Sequence, residues 1–534
     1  LRREIVKRVL VTDGLHAVGV DALRKHGLEV DEAGALAEAE LAARLGAYEG
    51  LIVRSATKVT RVAIAAGGKL EVIGRAGAGV DTIDVDAATE RGIVVMNTPG
   101  GNTTAVAEHT LALLLALTRR VPAADAALKA GRWEKSRLQG VELFGKTLGV
   151  LGLGRIGSEV ARRALGFRMQ VIAYDPYLTR EAAERLGVEP VELDELLTRA
   201  DFISIHAPLT GDTRHLLGEA ELARVKPGVR LINCARGGLV DEQALARAIR
   251  SGRVAGAALD VFEQEPPPAD HPLLGLEQVI ATPHLGAATD EAQTAVALAI
   301  AEQVADALLR GVVVNAVNLP SVDAETHREQ APWTGLAEKM GRFLAQMAEG
   351  RMQEARLTCS GEITGHPTAP LGLAFVRGVL GTILSEHVTD VNAMLLAKAR
   401  GLRVTETSTT EAPDYASLLA AELRTDRSTS SVAGTVFFKR EARFVQIDGF
   451  SLEALPQGWM LVFANLDVPG VIGRIGTLCG RHAINIAGMQ LGRERRGGRA
   501  VSILNLDDPM PPAVLDEIRA GRGAATFFPQ QGLE

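Results

Sequence analysis

One glycine-rich turn constrains the fold of this chain more than any other feature. Residues 148–151 form a short apolar strand pattern, and residues 152–157 follow it with the sequence G-x-G-x-x-G. A helical pattern covers 158–165, and a second apolar run, 170–174, ends at Asp175. The order strand, glycine turn, helix, strand and carboxylate is typical of a dinucleotide-binding unit, with a purely structural turn as the alternative.

The same segment indicates which dinucleotide it suits. Glycines let the backbone approach a pyrophosphate, and the start of the following helix offers N–H groups to it. Asp175 stands 18 residues after Gly157, where a carboxylate can accept hydrogen bonds from ribose hydroxyls and repel a 2′-phosphate. We therefore expect the cofactor to be NAD rather than NADP.

Composition limits the classes of function that remain. A formal net charge of −7 over 534 residues argues against nucleic-acid binding. The three cysteines, Cys234, Cys359 and Cys479, are far apart, so we expect no disulfide framework and no metal site, as is typical of a cytoplasmic protein. No apolar run reaches ~18 residues and no signal peptide is recognised, so we expect no membrane span.

Short apolar strands alternate with helical patterns in two stretches, 8–96 and 147–281. This alternation predicts an α/β fold with parallel sheets covered on both faces. Residues 312–317 read as one further strand. Residues 318–332 contain two prolines and read as a linker.

The remainder of the chain has a different pattern. Helices are expected near 333–349 and 371–400, followed by β-like runs such as 431–438. Residues 459–534 show a β-α-β-β-α-β order, which is the ferredoxin-like arrangement.

Polar residues follow the strands of the first stretch. Arg54 and Arg75 each come directly after an apolar run, and a Gly77-Ala78-Gly79 turn follows Arg75. Ligands collect at the carboxyl ends of parallel strands, so these arginines are candidates for binding an anion, with surface salt bridges as the alternative. Asn102 or Thr103 caps the long helix that follows, either as simple capping or as part of an anion site.

The second stretch places three further groups beyond strand ends, namely Arg236, Glu265 and His284. A histidine near neutral pKa suits proton transfer, and a carboxylate on its other nitrogen would fix its tautomer. An arginine can clamp a substrate carboxylate with two hydrogen bonds. Taken singly, each residue also has an ordinary interpretation as a loop histidine, a solvated glutamate or a charge at a helix start.

Four short sequence motifs together resemble those of the D-isomer-specific 2-hydroxyacid dehydrogenases. They are Leu151–Gly157, Asn233–Gly238, Ala258–Phe262 and Thr282–Gly286. The segments 53–59 and 74–81 are similar to the substrate segments of this family. The long C-terminal part resembles the branch that carries an intervening domain and an ACT domain.

The resemblance implies a fold and its domain bounds. The expected architecture is a Rossmann-type nucleotide domain inserted in a flavodoxin-like substrate domain, then an α+β intervening domain and a ferredoxin-like ACT domain. The expected bounds are 1–98 for the substrate-binding domain (completed by 290–317), 99–289 for the NAD-binding domain, 318–454 for the intervening domain and 458–534 for the ACT domain.

The resemblance also implies the site residues. The catalytic set would be Arg236, Glu265 and His284. Cofactor contacts are expected at Ala78, Gly152, Gly154, Arg155, Ile156, Gly157, Asp175, His206, Ala207, Pro208, Cys234, Ala235, Arg236, Asp260, His284 and Gly286. Substrate contacts are expected at Arg54, Ser55, Arg75, Gly77, Asn102 and Lys135, the last reaching a partner subunit's site.

The implied activity is NAD-dependent oxidation of 3-phospho-D-glycerate to 3-phosphohydroxypyruvate, the first step towards serine. The alternatives are another 2-hydroxyacid (glycerate, lactate or 2-hydroxyglutarate) or a non-catalytic NAD(H)-sensing regulator. In the ACT domain Asp467 and Asn485 match a ligand loop, which makes serine a candidate effector. A homotetramer or homodimer is expected.

Overall fold

The computed structural model describes residues 6–320, 322–412, 414–520 and 525–529, which form four sheets. The first contains, in chain order, β1 (Arg8–Val11), α1 (Ala17–Lys25), β2 (Glu29–Glu32), α2 (Glu38–Leu45), β3 (Gly50–Val53), α3 (Arg61–Ala66), β4 (Val72–Arg75), α4 (Val85–Glu90) and β5 (Val94–Asn97). All of its strands are parallel, in the order β2-β1-β3-β4-β5. This is the flavodoxin-like order that was expected.

The second sheet is built on the glycine motif. Its elements are α5 (Thr103–Arg119), α6 (Val121–Lys129), a 3-10 helix (Lys135–Leu138), β6 (Thr147–Leu151), α7 (Arg155–Gly166), β7 (Gln170–Tyr174), α8 (Arg180–Arg185), β8 (Glu189–Pro190), α9 (Leu193–Arg199), β9 (Phe202–Ile205), α10 (Glu219–Arg224), β10 (Val229–Asn233), α11 (Glu242–Arg250), β11 (Val254–Leu259) and β12 (Val279–Ala281). The seven strands are parallel, in the order β12-β11-β10-β9-β6-β7-β8. From β6 the strand order runs through β7 and β8 to one edge of the sheet, and from β9 it runs to the opposite edge. This switch of strand order beside β6 is the Rossmann arrangement. Ligands bind at the carboxyl ends of the strands next to such a switch, so the turn after β6 borders the expected ligand-binding crevice.

A long helix, α12 (Asp290–Arg310), returns from the second sheet to the first. Its apolar face packs on the first sheet, where Ile300 and Val304 share a core with Val9 and Ile52. Among the described residues this is the one helix long and apolar enough to cross a membrane by length and composition, and half of its most apolar window is buried inside the protein.

Residues 312–317 do not form the expected strand. One isolated antiparallel bridge joins Ala316 to Met96, and Asn315 has a positive φ of 52°. A left-handed residue turns the chain out of the extended conformation, so the segment follows β5 through single hydrogen bonds such as that from Val317 N to Val95 O, at 2.7 Å.

The expected linker at 318–332 is largely helical. Helix α13 (Ala324–Met347) begins there because Asp323 caps it by accepting from the backbone N–H groups of Glu325 and Thr326. Pro332 lies inside this helix. Proline removes one backbone hydrogen bond, yet tertiary packing keeps the helix continuous, with Leu336 and Phe343 fully buried.

The third sheet is mixed. Its elements are β13 (Met352–Gly361), a 3-10 helix (Glu362–Gly365), α14 (Ala369–Ile383), α15 (Ala393–Ala399), β14 (Arg403–Thr409), β15 (Ser417–Thr425), β16 (Thr429–Phe437), β17 (Glu441–Ile447) and β18 (Phe450–Ala454). The strand order is β14-β13-β15-β16-β17-β18, and only the β13–β14 pair is parallel. Two helices therefore occupy the range where helical pattern was expected over 371–400.

The fourth sheet has the ferredoxin-like order β20-β21-β19-β22. Its elements are β19 (Trp459–Leu466), α16 (Val471–Arg481), β20 (Ile486–Arg493), β21 (Arg499–Leu506), α17 (Pro512–Ala520) and β22 (Ala525–Pro529). The expectation of a separate small module needs one correction. Met460, Val462, Val501 and Ile503 belong to the same buried cluster as the α13 and α14 side chains, so the third and fourth sheets share a core.

Candidate active site

Loops from both parallel sheets meet at one cleft. His284 and Arg236 follow β12 and β10 of the second sheet, while Arg54 and Arg75 stand at the ends of β3 and β4 of the first. A direct contact joins the two sides, because Arg236 Nε donates to Asp81 Oδ2 at 2.8 Å. The structure therefore gathers the predicted polar residues from segments far apart in the chain.

His284 and Glu265 form a hydrogen-bonded pair. His284 Nδ1 donates to Glu265 Oε2 at 2.8 Å, which leaves Nε2 as the other proton-transfer position of the ring. The hydrogen bond to Glu265 raises the pKa of His284, while burial acts in the opposite direction. Burial acts to raise the pKa of Glu265, but the hydrogen bond from His284 and its charge outweigh this and lower it.

The segment that carries Glu265 is held in place by two carboxylates. Glu265 Oε1 itself accepts from the backbone N–H of Phe262 at 3.1 Å. Glu242, at the start of α11, accepts from Glu263 N at 2.7 Å and pairs with His271 Nε2 at 2.8 Å. Sequence reasoning missed Glu242 and His271. The available signal was a carboxylate at a helix start, which says nothing about the distant loop that it binds.

Asp260 organises the loop that carries His284. Its carboxylate is fully buried and accepts from the backbone N–H groups of Leu285 and Gly286, both at 2.8 Å. It also accepts from the Thr282 hydroxyl at 2.6 Å and lies 3.2 Å from His109 Nε2. These partners fix the backbone around His284, which itself has a positive φ of 54°.

Three arginines converge on the first-sheet side of the cleft. Burial, together with the charges of Arg236 and Arg54, lowers the pKa of Arg75 to about 10. The Nε atom of Arg75 is buried without a hydrogen-bond partner in the described part of the chain. Arg54 is anchored by Asp13, whose carboxylate accepts from Arg54 N at 2.9 Å. A concentration of positive charge of this kind suits a ligand with more than one negative charge.

Gly77 and Ala78, in the turn Gly77-Ala78-Gly79, were expected to contact the substrate and the cofactor. The structure shows arginines in that space, since a Cβ on Gly77 would lie 2.5 Å from Arg75 Nη1 and one on Gly79 would lie 1.7 Å from Arg236 Nη2. The two glycines therefore leave room for guanidinium groups. Direct contacts of Gly77 and Ala78 with ligands stay predictions.

The glycine motif has the geometry that a dinucleotide requires. Gly152 has a φ of 89°, and a Cβ there would lie 2.9 Å from the Ala207 nitrogen. A Cβ on Gly157 would lie 2.1 Å from the Gly152 oxygen, whereas one on Gly154 would meet nothing within 4 Å. The first and third glycines thus permit tight backbone packing, and the second leaves open space before α7. These residues fit a bound dinucleotide.

Asp175 and the neighbouring strand ends complete this half of the cleft. Asp175 Oδ2 accepts from Leu153 N, inside the glycine turn, at 2.8 Å. Burial lowers the pKa of His206 to about 4 and raises that of the Cys234 thiol to about 12, so both are neutral near pH 7. The other expected cofactor residues lie in the same strand-end loops or at the start of α7, namely Arg155, Ile156, Ala207, Pro208, Ala235 and Gly286.

The remaining expected substrate residues are less tightly tied to this cluster. Asn102 caps α5 by position, but its side chain makes no capping bond and its Oδ1 is buried without a partner among the described residues. Ser55 lies in the loop after β3, and Lys135 is exposed at the start of a 3-10 helix. Over the described ranges, no group of three or more His, Cys, Asp or Glu could hold a metal ion.

The two expected effector residues of the fourth sheet make internal bonds. Asp467 Oδ2 accepts from Arg493 Nη1, and Asn485 Nδ2 donates to Asp507 Oδ2, each at 2.7 Å. A cavity of about 420 Å³ lies beside Pro469 and Gly470, where α16 begins. Asn465 lines this cavity.

Three family models match the chain. The model "D-isomer specific 2-hydroxyacid dehydrogenase, NAD binding domain" matches residues 111–286. The model "D-3-phosphoglycerate dehydrogenase intervening domain" matches 329–448, and the ACT domain model matches 459–520.

Proteins from other organisms are similar over nearly the whole length. A D-3-phosphoglycerate dehydrogenase of Methanocaldococcus jannaschii is 44% identical over 513 residues, covering 96% of this chain and 97% of the relative. One of Archaeoglobus fulgidus is 44% identical with the same coverage. Among solved structures, D-lactate dehydrogenase from Aquifex aeolicus, complexed with NAD and lactic acid, has a TM-score of 0.52 at 32% identity. It covers 59% of this chain and 100% of its own.

The His284–Glu265 bond predicts a measurable pKa change. Glu265→Gln removes the negative charge that favours the imidazolium, so the pKa of His284 falls. Titration of the ring resonances of His284 by NMR measures the change. His215 lies 3.0 Å from Glu263, a carboxylate that the substitution leaves in place, so it is the matched control in the same spectra. An unchanged titration of His284 would contradict the assignment of the pair.

Proposed function

This chain belongs to the D-3-phosphoglycerate dehydrogenase family, and on that premise we propose that it oxidises 3-phospho-D-glycerate to 3-phosphohydroxypyruvate, the first step of phosphorylated serine biosynthesis. The observation that carries the proposal is the His284–Glu265 pair, set within electrostatic reach of Arg236. NAD is the cofactor of this family, and the glycine turn after β6 fits it.

His284 is the general base in this proposal. Its Nε2 accepts the proton of the C2 hydroxyl, while Nδ1 stays bonded to Glu265, which stabilises the imidazolium that forms. Bound NAD supplies the hydride acceptor. In the reverse direction the same imidazolium returns the proton to the carbonyl oxygen.

The arginines account for the choice of substrate. Arg236 holds the carboxylate and polarises the oxygen at C2. Arg54 and Arg75 face a phosphate, whose charge offsets the mutual repulsion of the three guanidinium groups. Glycerate, lactate and 2-hydroxyglutarate lack this phosphate and are the alternative substrates. A non-catalytic NAD(H)-sensing role is disfavoured because Arg236, Glu265 and His284 are all present.

Assembly and location are part of the proposal. Trp133, Leu128 and Phe144 are exposed apolar side chains on the segment after α5, which supports a homodimer or homotetramer in which Lys135 reaches the partner's site. All three cysteines are buried and free, which supports a cytoplasmic location.

Replacing His284 tests the reaction. His284→Ala removes the general base, so kcat falls by roughly 10²- to 10⁴-fold, while the dissociation constant for NAD, measured by calorimetry, changes little. His215→Ala, outside the cleft cluster, keeps normal turnover. Near-normal kcat in His284→Ala would contradict the role of the histidine.

The pH dependence gives a second readout of the same assignment. Oxidation requires the neutral imidazole, so the rate is lost as the pH falls through the pKa of His284. Glu265→Gln lowers that pKa, so its acid limb moves to lower pH although its maximal rate decreases. In the reduction direction the imidazolium is required, and the rate of the variant is lost at lower pH than that of the wild type.

Arg75 tests the identity of the substrate. Arg75→Gln removes a charge-assisted hydrogen bond of ~1.5–3 kcal/mol, so kcat/KM for 3-phosphoglycerate falls roughly 10- to 150-fold, with a much smaller loss for glycerate. Arg61→Gln, which breaks a surface pair with Glu90, is the matched control. Equal losses on both substrates would mean that Arg75 does not recognise the phosphate.

The ACT domain binds a small-molecule effector in this proposal, with serine as the candidate. The third and fourth sheets share a core, so the truncation should remove both together. We expect a chain ending near Gly311 to Pro320 to keep dehydrogenase activity and to lose any response to serine. Calorimetry of the full chain with serine, beside Asn485→Ala, measures the binding. No heat would remove serine as the effector, and inhibition that survives truncation would remove the domain from the mechanism.

A further inference from the structure

One ion pair joins the two sides of the cleft directly. Asp81 lies in the loop after β4 of the first sheet, and Arg236 lies in the loop after β10 of the second, 155 positions later. Arg236 Nε donates to Asp81 Oδ2 at 2.8 Å. The guanidinium that holds the substrate carboxylate is therefore bonded to the opposite side of the cleft.

The bond fixes the orientation of the guanidinium plane. Arg236 Nη1 donates to the carbonyl oxygen of Ala235 at 2.7 Å, so two of the three nitrogens are engaged. Within the described residues Nη2 has no hydrogen-bond partner, and it remains for a ligand carboxylate. A free arginine side chain loses rotamer entropy when it is ordered, so holding two nitrogens beforehand reduces the cost of ordering the third.

The loop around Asp81 is shaped to this arrangement. A Cβ on Gly79 would lie 1.7 Å from Arg236 Nη2 and 2.7 Å from Asp81 Oδ2. Any larger residue at position 79 would displace the guanidinium, the carboxylate or both. The close approach of Arg236 and Asp81 therefore explains why position 79 is a glycine, which the sequence alone did not reveal.

Charge gives Asp81 a second effect on the same cluster. Arg75 and Arg236 repel each other, and Asp81 is one of two carboxylates that offset this repulsion at Arg75, the other being Asp13. Asp13 is occupied by the backbone and hydroxyl of Thr57 and by the backbone of Arg54. Asp81, in contrast, accepts from a guanidinium nitrogen, Nε of Arg236.

We propose that Asp81 is a positioning residue for the reaction: it holds Arg236 across the cleft with its Nη2 end presented to the substrate carboxylate. The inference rests on the proposed function of Arg236. The alternative is that the ion pair only stabilises the contact between the two sides. Its loss would then lower the stability of the protein and would not weaken hydroxyacid binding more than cofactor binding.

The first experiment compares Asp81→Ala, Asp81→Asn and Asp86→Ala in the full chain. Asp86 is an exposed carboxylate in α4, so its variant makes the same charge change away from Arg236. We expect Asp81→Ala to raise KM for 3-phosphoglycerate and lower kcat, with kcat/KM reduced roughly 10- to 100-fold as for one lost charge-assisted hydrogen bond. The dissociation constant for NAD changes much less, because Arg236 is one of many residues expected to contact the cofactor. Asp81→Asn keeps an acceptor oxygen and recovers part of the loss.

The second experiment is a double-mutant cycle with Arg236→Lys, which lacks the Nε donor. If Asp81 acts through Arg236, Asp81→Ala costs little more in the lysine background. The proposal would be overturned if the reductions of kcat/KM from the two substitutions multiply, or if Asp81→Ala has the same kcat/KM as Asp86→Ala. The same is true of a loss that appears equally in NAD binding or that matches a fall in thermal stability.

The two proposals fail separately. Wild-type enzyme that does not oxidise 3-phosphoglycerate would overturn the proposed substrate, and the variants would then be compared on the 2-hydroxyacid that it does oxidise. Wild-type enzyme that is active, with no specific effect of Asp81→Ala, would overturn only the positioning role.

Discussion

Carboxylates that accept backbone N–H bonds hold this cleft together. The loops at strand ends have no regular hydrogen-bond ladder of their own, so their donors need other partners. Asp175 accepts from the glycine turn, Asp260 from the loop of His284 and Glu242 from the segment of Glu265. On the first sheet Asp13 does the same for the loop of Arg54. Charge-assisted bonds of this type are short and strong, so they place the reacting groups before a ligand arrives.

These acceptors also balance the charge of the cleft. Arg75 is half-buried beside two other arginines, an arrangement that costs free energy without a compensating anion. The nearby carboxylates are mostly occupied by loop backbone, and in the described part of the chain Asp81 is the one carboxylate that accepts from a guanidinium nitrogen of Arg236. The protein therefore keeps an excess of positive charge at the place where a phosphate and a carboxylate are expected to bind. Stability of the empty site and affinity for the substrate are opposed here.

The sequence predicted the sheets because their signals are local. Apolar runs, a glycine turn and helical patterns lie within 30 residues of one another, and the glycine spacing reports backbone geometry directly. The predicted strand at 312–317 was wrong, because Asn315 adopts a left-handed conformation. The predicted linker at 318–332 was largely wrong, because a buried helix tolerates Pro332. Those outcomes depend on tertiary contacts that outweigh local preference.

The candidate site was predictable only in part for the same reason. The family resemblance implied His284, Glu265 and Arg236 as the catalytic set, and the structure shows a hydrogen bond between His284 and Glu265. Asp81, Glu242 and His271 carry no local pattern, because their partners lie in other segments and a single aspartate or glutamate looks the same whether solvated or bonded. The role of Gly79 was hidden as well, since its neighbour is a side chain 157 positions away.

The return of α12 has a consequence for synthesis on the ribosome. Residues 296–308 of that helix cover one face of the first sheet together with α1, and they emerge roughly 200 residues after β5. At about 5–20 residues per second, this delay is on the order of 10–40 s. During that time the nascent first sheet lacks part of the cover of one apolar face while the whole second sheet is being made. The first sheet therefore completes its core only after the second sheet has been made, although its own strands come earlier in the chain.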